Sequence, residues 1–485
     1  MHVIIIGSGV AALGAAIRLR LKGHDVRVFE ANDYPGGKLH SFQLGEFRFD
    51  GGPSLFTMPH FVDELFNEAG RNPQDYFQYI RSEEACRYFW QDGQRLFASS
   101  EPEKFAEEVE RVFRFPKNEL LDYFKHVKQI YDTSGKIFLE KSLHKASTWL
   151  SKETLSALMK IRQFDLNRSM HRANMVRLVE PHLVQLFDRF ATYNGSDPYR
   201  APGILNVIPW LEHGFGTFFP KGGMVSIPRA LHRLGEELGV KYHFSHPVDE
   251  IIIQKGKVRG VRSKGQEHLA DRVVSNMDVF HTYRRLLPKQ KAPERILRQE
   301  RSSSALVFYW GIEGQFSELG LHNIFFSDHY KEEFETMFTQ GSILDDPTIY
   351  IHVSSKIVPA DAPEGGENWF VMVNAPNDDG QDWEQITKKV RARVIQRLSA
   401  ELNTDLESRI KAEKIWNPKG IADDTLSYRG ALYGNSSNNQ FAAFLRHPNF
   451  SSSIEGLYFI GGSVHPGGGI PLALLSGKIT SELMK

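Results

Sequence analysis

Gly7-Ser8-Gly9-Val10-Ala11-Ala12 carries the first chemistry legible in this chain of 485 residues. It fits a GxGxxA pattern between an apolar run, residues 2–7, and a stretch of helical spacing, residues 10–22. Gly7 permits a tight turn, Gly9 lets the backbone approach a pyrophosphate, and Ala12 is small enough for the helix to pack on a sheet. The helix N-terminus would offer N–H groups and a positive dipole end to phosphate oxygens. Glu30 closes a second predicted strand, residues 25–30, where a carboxylate can accept hydrogen bonds from a ribose diol. A lone glycine motif predicts only a tight turn, but strand, loop, helix, strand and acid together predict a dinucleotide site.

These residues need a parallel sheet to hold them. The unbroken apolar run at 2–7 suits a strand buried on both faces, and residues 2–30 read as a βαβ unit. From about 100 to 190 the texture is helical: Phe105, Val109, Val112 and Phe113, then Leu121 and Phe124, then Leu155, Leu158, Met159 and Arg162 fall at helical spacings. Strands are expected at 248–253, 257–262, 268–275, 304–312, 348–354, 369–374 and 456–461, with a terminal helix from near Pro471. Nucleotide-type signals at both ends predict an α/β fold. A discontinuous Rossmann-like domain (1–85, 220–295 and 410–485) carries a β-sheet substrate domain (181–219 and 296–409). A helical subdomain (86–180) is inserted, a candidate membrane-binding element.

Composition narrows the classes. Lys+Arg and Asp+Glu are equal at 59 each, which argues against a dedicated nucleic-acid binder. The single cysteine, Cys86, excludes an intramolecular disulfide and a redox-active pair, and no metal site is expected. No apolar run approaches the ~18 residues of a transmembrane helix, and the N-terminus lacks signal-peptide texture, so the reading is cytoplasmic. The 34 Phe residues bring apolar surface for a core or for an apolar ligand.

Gly36-Gly37-Lys38 follows Glu30 after a short loop. With the first motif it resembles the signature of a two-domain flavoprotein superfamily that includes the amine oxidases. No second GxGxxG suggests a separate NAD(P)H domain. The C-terminal stretch 456–478, which contains Gly461-Gly462-Ser463-Val464-His465-Pro466-Gly467-Gly468-Gly469-Ile470, resembles that of the bacterial phytoene-desaturase-type carotenoid desaturases. So do Phe49-Asp50-Gly51-Gly52-Pro53-Ser54, Phe219-Pro220-Lys221-Gly222-Gly223-Met224, Val273-Val274-Ser275-Asn276 and Ala362-Pro363-Glu364-Gly365. The resemblance implies FAD as cofactor. It would be held by Gly7, Gly9, Ala12, Glu30, Gly36, Gly37, Lys38, Pro53, Ser54, Leu55, Val248, Asn276, Leu432, Gly461, Gly462, Gly469 and Ile470. The helix after Gly469 would stabilise negative charge on the reduced ring, and a flexible glycine loop is the other reading.

The same resemblance implies removal of two hydrogens from adjacent carbons of a long isoprenoid, for which the protein supplies position and water exclusion. Glu180 aligns with an acidic position of the family and is the candidate proton acceptor, although Val184 replaces the accompanying Arg. A solvated or paired helix carboxylate is the alternative. Residues 187–199 resemble the hydroxycarotenoid 3,4-desaturase branch. The expected substrate therefore carries a tertiary hydroxyl, with Tyr193, Asn194 and His213 as candidate partners. Asn194-Gly195 also reads as a turn. Phe187, Phe190, Phe215, Phe218 and Phe219 are expected along an apolar tunnel. Eight basic residues between Lys141 and Arg177 face only Glu153 and Asp165, and Trp149, Leu150, Leu155, Leu158, Met159 and Phe164 interleave with them. That pattern suits an anionic membrane surface, or a solvated helical domain. Expected partners are a carotenoid, a membrane surface, and oxygen or a quinone as electron acceptor. The competing readings are a phytoene- or lycopene-type desaturase, a non-redox carotenoid isomerase, an amine oxidase, against which the C-terminal block speaks, and a prenyl-lipid carrier without catalysis.

Overall fold

The structure, a computed structural model, describes residues 1–150, 154, 164–439 and 446–484. β1 (His2–Ile6) and β2 (Asp25–Phe29) pair in parallel and are joined by α1 (Val10–Leu21). The five-stranded parallel sheet runs Leu457–Phe459, Arg272–Ser275, β1, β2, Lys241–His243. Alternation along β1 explains its unbroken apolar run. Val3 and Ile5 pack with the alanines of α1, while Ile4 and Ile6 pack with Ile251, Val258 and Val261 beneath a three-stranded antiparallel sheet.

The two ends of the chain meet in this domain, as the motif order predicts. Strand Leu457–Phe459 extends the sheet, and the terminal helix (Ile470–Leu483) packs against α1. The close approach depends on Gly477, where a Cβ would lie 2.8 Å from the Ala11 carbonyl oxygen.

A seven-stranded sheet forms the second layer: Ile410–Trp416, Ser304–Glu313, Gly366–Ala375, Ile349–Val353, His322–Phe325, Glu84–Phe89 and Arg95–Ser99. Both faces are covered. Leu306, Phe308, Trp310, Trp369, Val371 and Val373 pack towards the helix Trp383–Glu401, and Val307, Tyr309, Phe370 and Met372 face the other way.

Three expectations on organisation are corrected. Residues 84–99 belong to the seven-stranded sheet, so the helical insertion begins near Pro102, not at 86. Ile410–Trp416 pairs with Ser304–Glu313 and belongs to the same sheet, not to the dinucleotide domain. It is an edge strand with charged side chains, which hides a strand's apolar signature. The single strand expected at 268–275 is two: Gln266–Leu269 pairs with Lys257–Ser263, and the chain then crosses to place Arg272–Ser275 beside β1.

The insertion is helical where described: Pro102–Phe113, Lys117–Phe138, Ala146–Trp149, Met170–Leu178 and Pro181–Asp188. Leu155, Leu158, Met159 and Arg162 lie outside the described residues. Among the described residues, no helix is long and apolar enough to cross a membrane.

Candidate active site

The loop between β1 and α1 is built for a close ligand. Gly7 adopts φ +88°, and Gly9 caps α1 without any side-chain hydrogen bond to the helix. A Cβ on Gly9 would approach Asn276 Oδ1 to 2.8 Å. Asn276 Oδ1 accepts from the Ala12 N–H at 3.3 Å, and its Nδ2 donates to the Ile460 carbonyl at 3.4 Å, so one side chain ties two strand ends to the start of α1. Gly36 donates its N–H to the Ser8 carbonyl and bridges to Gly9, bringing the glycine pair against the first loop. With φ +110° at Gly36, a side chain there would overlap the Leu39 carbonyl.

Glu30 is buried at the end of β2. One carboxylate oxygen accepts from the Ser8 N–H at 2.6 Å and the Ser8 hydroxyl at 2.8 Å, the other from the Asn32 N–H at 2.9 Å. A carboxylate has about four acceptor positions, so one remains for a ligand. Lys38 Nζ donates to the Leu432 carbonyl at 3.4 Å, joining two sites far apart in sequence. Burial lowers the pKa of Lys38, against the pull of Asp278.

These elements open into one cavity of about 1350 Å³. Gly7, Gly9, Glu30, Gly36, Gly37, Lys38, Pro53, Ser54, Leu55, Val248, Asn276, Leu432, Gly461, Gly462, Gly469 and Ile470 all border it. Ala12 does not; it is buried against Val3 and Ile5, where its small size lets helix and sheet approach. The N-termini of α1 and of the terminal helix both face the cavity, and Gly469 leaves its rim open, with no atom of the described residues within 4 Å of an added Cβ. Two helix N-termini that donate, a turn with glycine at Gly7 and Gly9, and a part-satisfied acid that accepts together fit a dinucleotide pyrophosphate and ribose.

The remaining walls are largely apolar. The seven-stranded sheet contributes Ala305, Val307, Tyr309, Ile324, Phe370 and Met372, and the helical insertion with its following turns contributes Tyr131, Phe138, Leu139, Leu143, Ile204 and Leu211. The five phenylalanines expected along a tunnel are not among these. Phe187, Phe190 and Phe219 are fully buried in core clusters, and Phe215 and Phe218 pack against the cluster that holds Phe219. Helical and strand geometry turns other side chains to the cavity.

Two further candidates are corrected. Glu180 does not border the cavity. It caps the helix Pro181–Asp188, accepting from the Leu183 N–H at 2.7 Å, and binds His182 Nδ1 at 2.7 Å. His213 is also turned away. Its ring stacks on Phe105 at 4.5 Å, and burial, aided by Arg189, pushes its pKa down to about 3. Successive helical residues point about 100° apart, so its neighbour Glu212 faces the cavity instead. Tyr193 and Asn194 do border the cavity. The Asn194 amide is committed: Nδ2 donates to Ser437 Oγ at 2.7 Å and Oδ1 accepts from Arg446 at 2.8 Å.

Sequence reasoning missed a buried polar cluster on the cavity wall. Arg189 donates to the hydroxyls of Tyr193 at 2.9 Å and Tyr88 at 2.8 Å, and Tyr193 donates on to Glu212 Oε2 at 2.6 Å. Beside it, Tyr350 OH bonds Ser54 Oγ at 2.7 Å and His322 Nδ1 at 2.8 Å. Burial raises the Glu212 carboxyl pKa, although Arg189 and Tyr193 oppose this. Cys86 also lines the cavity; burial raises its thiol pKa, leaving it a weak nucleophile. The available signal was a charge set among large apolar residues at each place, Arg189 between Phe187 and Phe190 and Glu212 after Trp210 and Leu211.

A dinucleotide cradle opening into a largely apolar cavity between two sheets defines a flavoprotein oxidoreductase of the two-domain type. The chain belongs to the flavin-containing amine oxidoreductase family, whose profile matches residues 11–485, and it is an oxidoreductase that uses FAD. It is 51% identical over 481 residues to a 1-hydroxycarotenoid 3,4-desaturase of a Flavobacterium sp., covering 99% of this chain and 98% of that one. It is 33% identical to a 4,4'-diapolycopene oxygenase of a Methylomonas sp., covering 99% and 97%. An oxidoreductase from Methanosarcina mazei shares the fold, with a TM-score of 0.61 at 16% identity and full coverage of both chains.

Proposed function

We propose that this protein is an FAD-dependent desaturase of long acyclic carotenoids, acting at the 3,4 bond of a 1-hydroxycarotenoid. The observation that carries this reading is the continuity of the dinucleotide cradle with a large apolar cavity, in a chain half identical to a 1-hydroxycarotenoid 3,4-desaturase over nearly its whole length. The cradle residues bordering the cavity would hold FAD: Gly7, Gly9 and the N-terminus of α1 at the pyrophosphate, Glu30 at a ribose, and the Gly469–Ile470 helix end at the ring. Bound FAD supplies the two-electron acceptor for a hydride leaving an allylic carbon.

The chain's own residues supply position and dryness. Sheet residues such as Val307 and Phe370 and insertion residues such as Phe138 and Leu139 present apolar surface to the same cavity, which would align an extended polyene and exclude water. Loss of the neighbouring proton beside a conjugated cation needs no strong base, consistent with Glu180 being a helix cap. The test is incubation of the FAD-loaded protein with hydroxylated and non-hydroxylated acyclic carotenes, followed by mass spectrometry. Loss of two hydrogens from the hydroxylated substrate is expected. An unchanged mass would indicate isomerisation, a gain of oxygen an oxygenase, and conversion of phytoene alone another desaturase branch.

We also propose peripheral attachment to a membrane. Trp149, Leu150, Met175, Val176 and Val179 are exposed on the helical insertion, together with Arg168 and Arg172. Phe138, Leu139 and Leu143 of the same insertion border the cavity, so a substrate dissolved in lipid would have a short route inward. Co-flotation with anionic liposomes is expected; no flotation, or flotation unaffected by Leu150→Ser with Val176→Ser, would remove this reading. The electron acceptor is oxygen or a membrane quinone, which oxygen consumption during turnover would separate.

A further inference from the structure

The Arg189–Tyr193–Glu212 cluster presents an unusual pair of atoms. Arg189 spends both terminal nitrogens on tyrosine hydroxyls, yet among the described residues its Nε–H has no acceptor. Glu212 spends Oε2 on Tyr193, yet among the described residues Oε1 has no hydrogen-bond donor. Both residues are at least nine-tenths buried, and both border the cavity. Arg189 Nη2 lies 3.7 Å from Glu212 Oε1, so the free donor and the free acceptor belong to one ion pair. A buried donor or acceptor left unpaired costs about 1–3 kcal/mol, more for charged groups. A ligand that supplies one acceptor and one donor together would satisfy both. A hydroxyl does so; a ketone offers only an acceptor, and a hydrocarbon offers neither.

Resting on the desaturase reading above, we infer that Arg189 and Glu212 recognise the tertiary hydroxyl of the substrate, Arg189 Nε–H donating to its oxygen and Glu212 Oε1 accepting its proton. Tyr193 is a positioning residue, fixing the two charges against each other. The cluster's place in the cavity suits this role. In a 1-hydroxycarotenoid only a few bonds separate the hydroxyl from the 3,4 bond, so its anchor must lie close to the reacting carbons. The neighbouring Tyr350 is bonded to Ser54, on the loop that follows Gly51-Gly52 at the cradle side. The rest of the polyene would then run along the apolar walls.

The experiment compares FAD-loaded wild type, Glu212→Gln, and the double variant Arg189→Met with Glu212→Met. The probes are a 1-hydroxylated acyclic carotene and the same carotene lacking the hydroxyl. Kd is read by quenching of tryptophan fluorescence and kcat/KM by mass spectrometry. Replacing both members of a buried ion pair by apolar residues of similar volume is often neutral for folding. Retained flavin absorbance checks each variant, and Glu212→Gln decides the matter if the double variant does not fold.

Wild type is expected to favour the hydroxylated probe, and this preference should fall about 10- to 150-fold in the variants, mainly in Kd and KM. An unchanged preference, or no preference in wild type, would overturn the inference. An equal loss of kcat on both probes at unchanged Kd in Glu212→Gln would also overturn it, assigning Glu212 to proton transfer. If wild type binds with the expected preference but removes no hydrogens, the desaturase reading fails while the hydroxyl site stands.

Discussion

Gly9→Ala separates a cradle built for a pyrophosphate from an ordinary tight turn. Gly9 has φ −62° and ψ 168°, extended backbone that alanine adopts without strain. The penalty therefore comes from the methyl group. It would lie 2.8 Å from Asn276 Oδ1, so the Asn276 amide must move by a few tenths of an ångström. That weakens the 3.3 Å hydrogen bond from the Ala12 N–H, at a cost of about 0.5–1.5 kcal/mol. Alanine is also a poorer N-cap than glycine, by roughly another 0.5–1 kcal/mol. The fold should survive with a thermal midpoint lowered by roughly 2–5 °C. Cofactor binding should suffer more, because the methyl projects where a phosphate would approach the helix. Loss of one charge-assisted hydrogen bond, worth about 1.5–3 kcal/mol, weakens FAD by about 10- to 150-fold. Apoprotein titrated with FAD, followed by quenching of flavin fluorescence, gives the affinity; thermal melting without FAD gives the stability. An FAD affinity within about threefold of wild type, in a protein whose apo stability has fallen as calculated, would refute the passage of the pyrophosphate over Gly9.

Three other perturbations test the remaining assignments. Glu180→Ala removes a helix cap remote from the cavity, so stability should fall by about 1 kcal/mol while kcat stays within about twofold of wild type, measured by urea melts and steady-state turnover. Burial raises the Glu333 carboxyl pKa to about 7, although Thr348 donates to it through both its N–H and its hydroxyl. A raised acid binds its proton more tightly in the folded state, so its contribution is complete below about 4.5 and is lost as pH rises through about 7. Glu333→Gln should therefore flatten the fall in stability between pH 5 and 8, by on the order of 2–3 kcal/mol, in melts across that range. Gly477→Val drives a side chain into the Ala11 backbone, so it should lower stability by more than about 3 kcal/mol and reduce FAD retention during purification.

The dinucleotide cradle was legible in the sequence because its requirements are local. A turn with φ +88° at Gly7, a helix start without a side chain at Gly9, and an acid at the end of the next strand are properties of neighbouring residues, and they leave a spaced motif. The two-sided burial of β1 was legible for the same reason, since an unbroken apolar run has few other uses. The C-terminal glycines pointed to a domain closed by both chain ends, and the strand beside Arg272–Ser275 closes it.

What only the tertiary structure decided is which side chains share the cavity. Glu212 and His213 are adjacent, and composition favours neither; the orientation of the short helix Ile208–His213 turns the carboxylate to the cavity and the imidazole onto Phe105. Phe187 and Phe190 are as apolar as Phe138 and Phe370, but packing places the first two in core and the last two on the cavity wall. Arg189 and Glu212 stand 23 positions apart on separate helical turns, and nothing local relates them. Their pairing arises because folding brings two charges out of water into the same wall, where each is tolerated through the other and through Tyr193. Side chains that bind a backbone-proximal phosphate announce themselves by spacing; side chains that meet across a cavity depend on long-range contacts that local sequence does not encode.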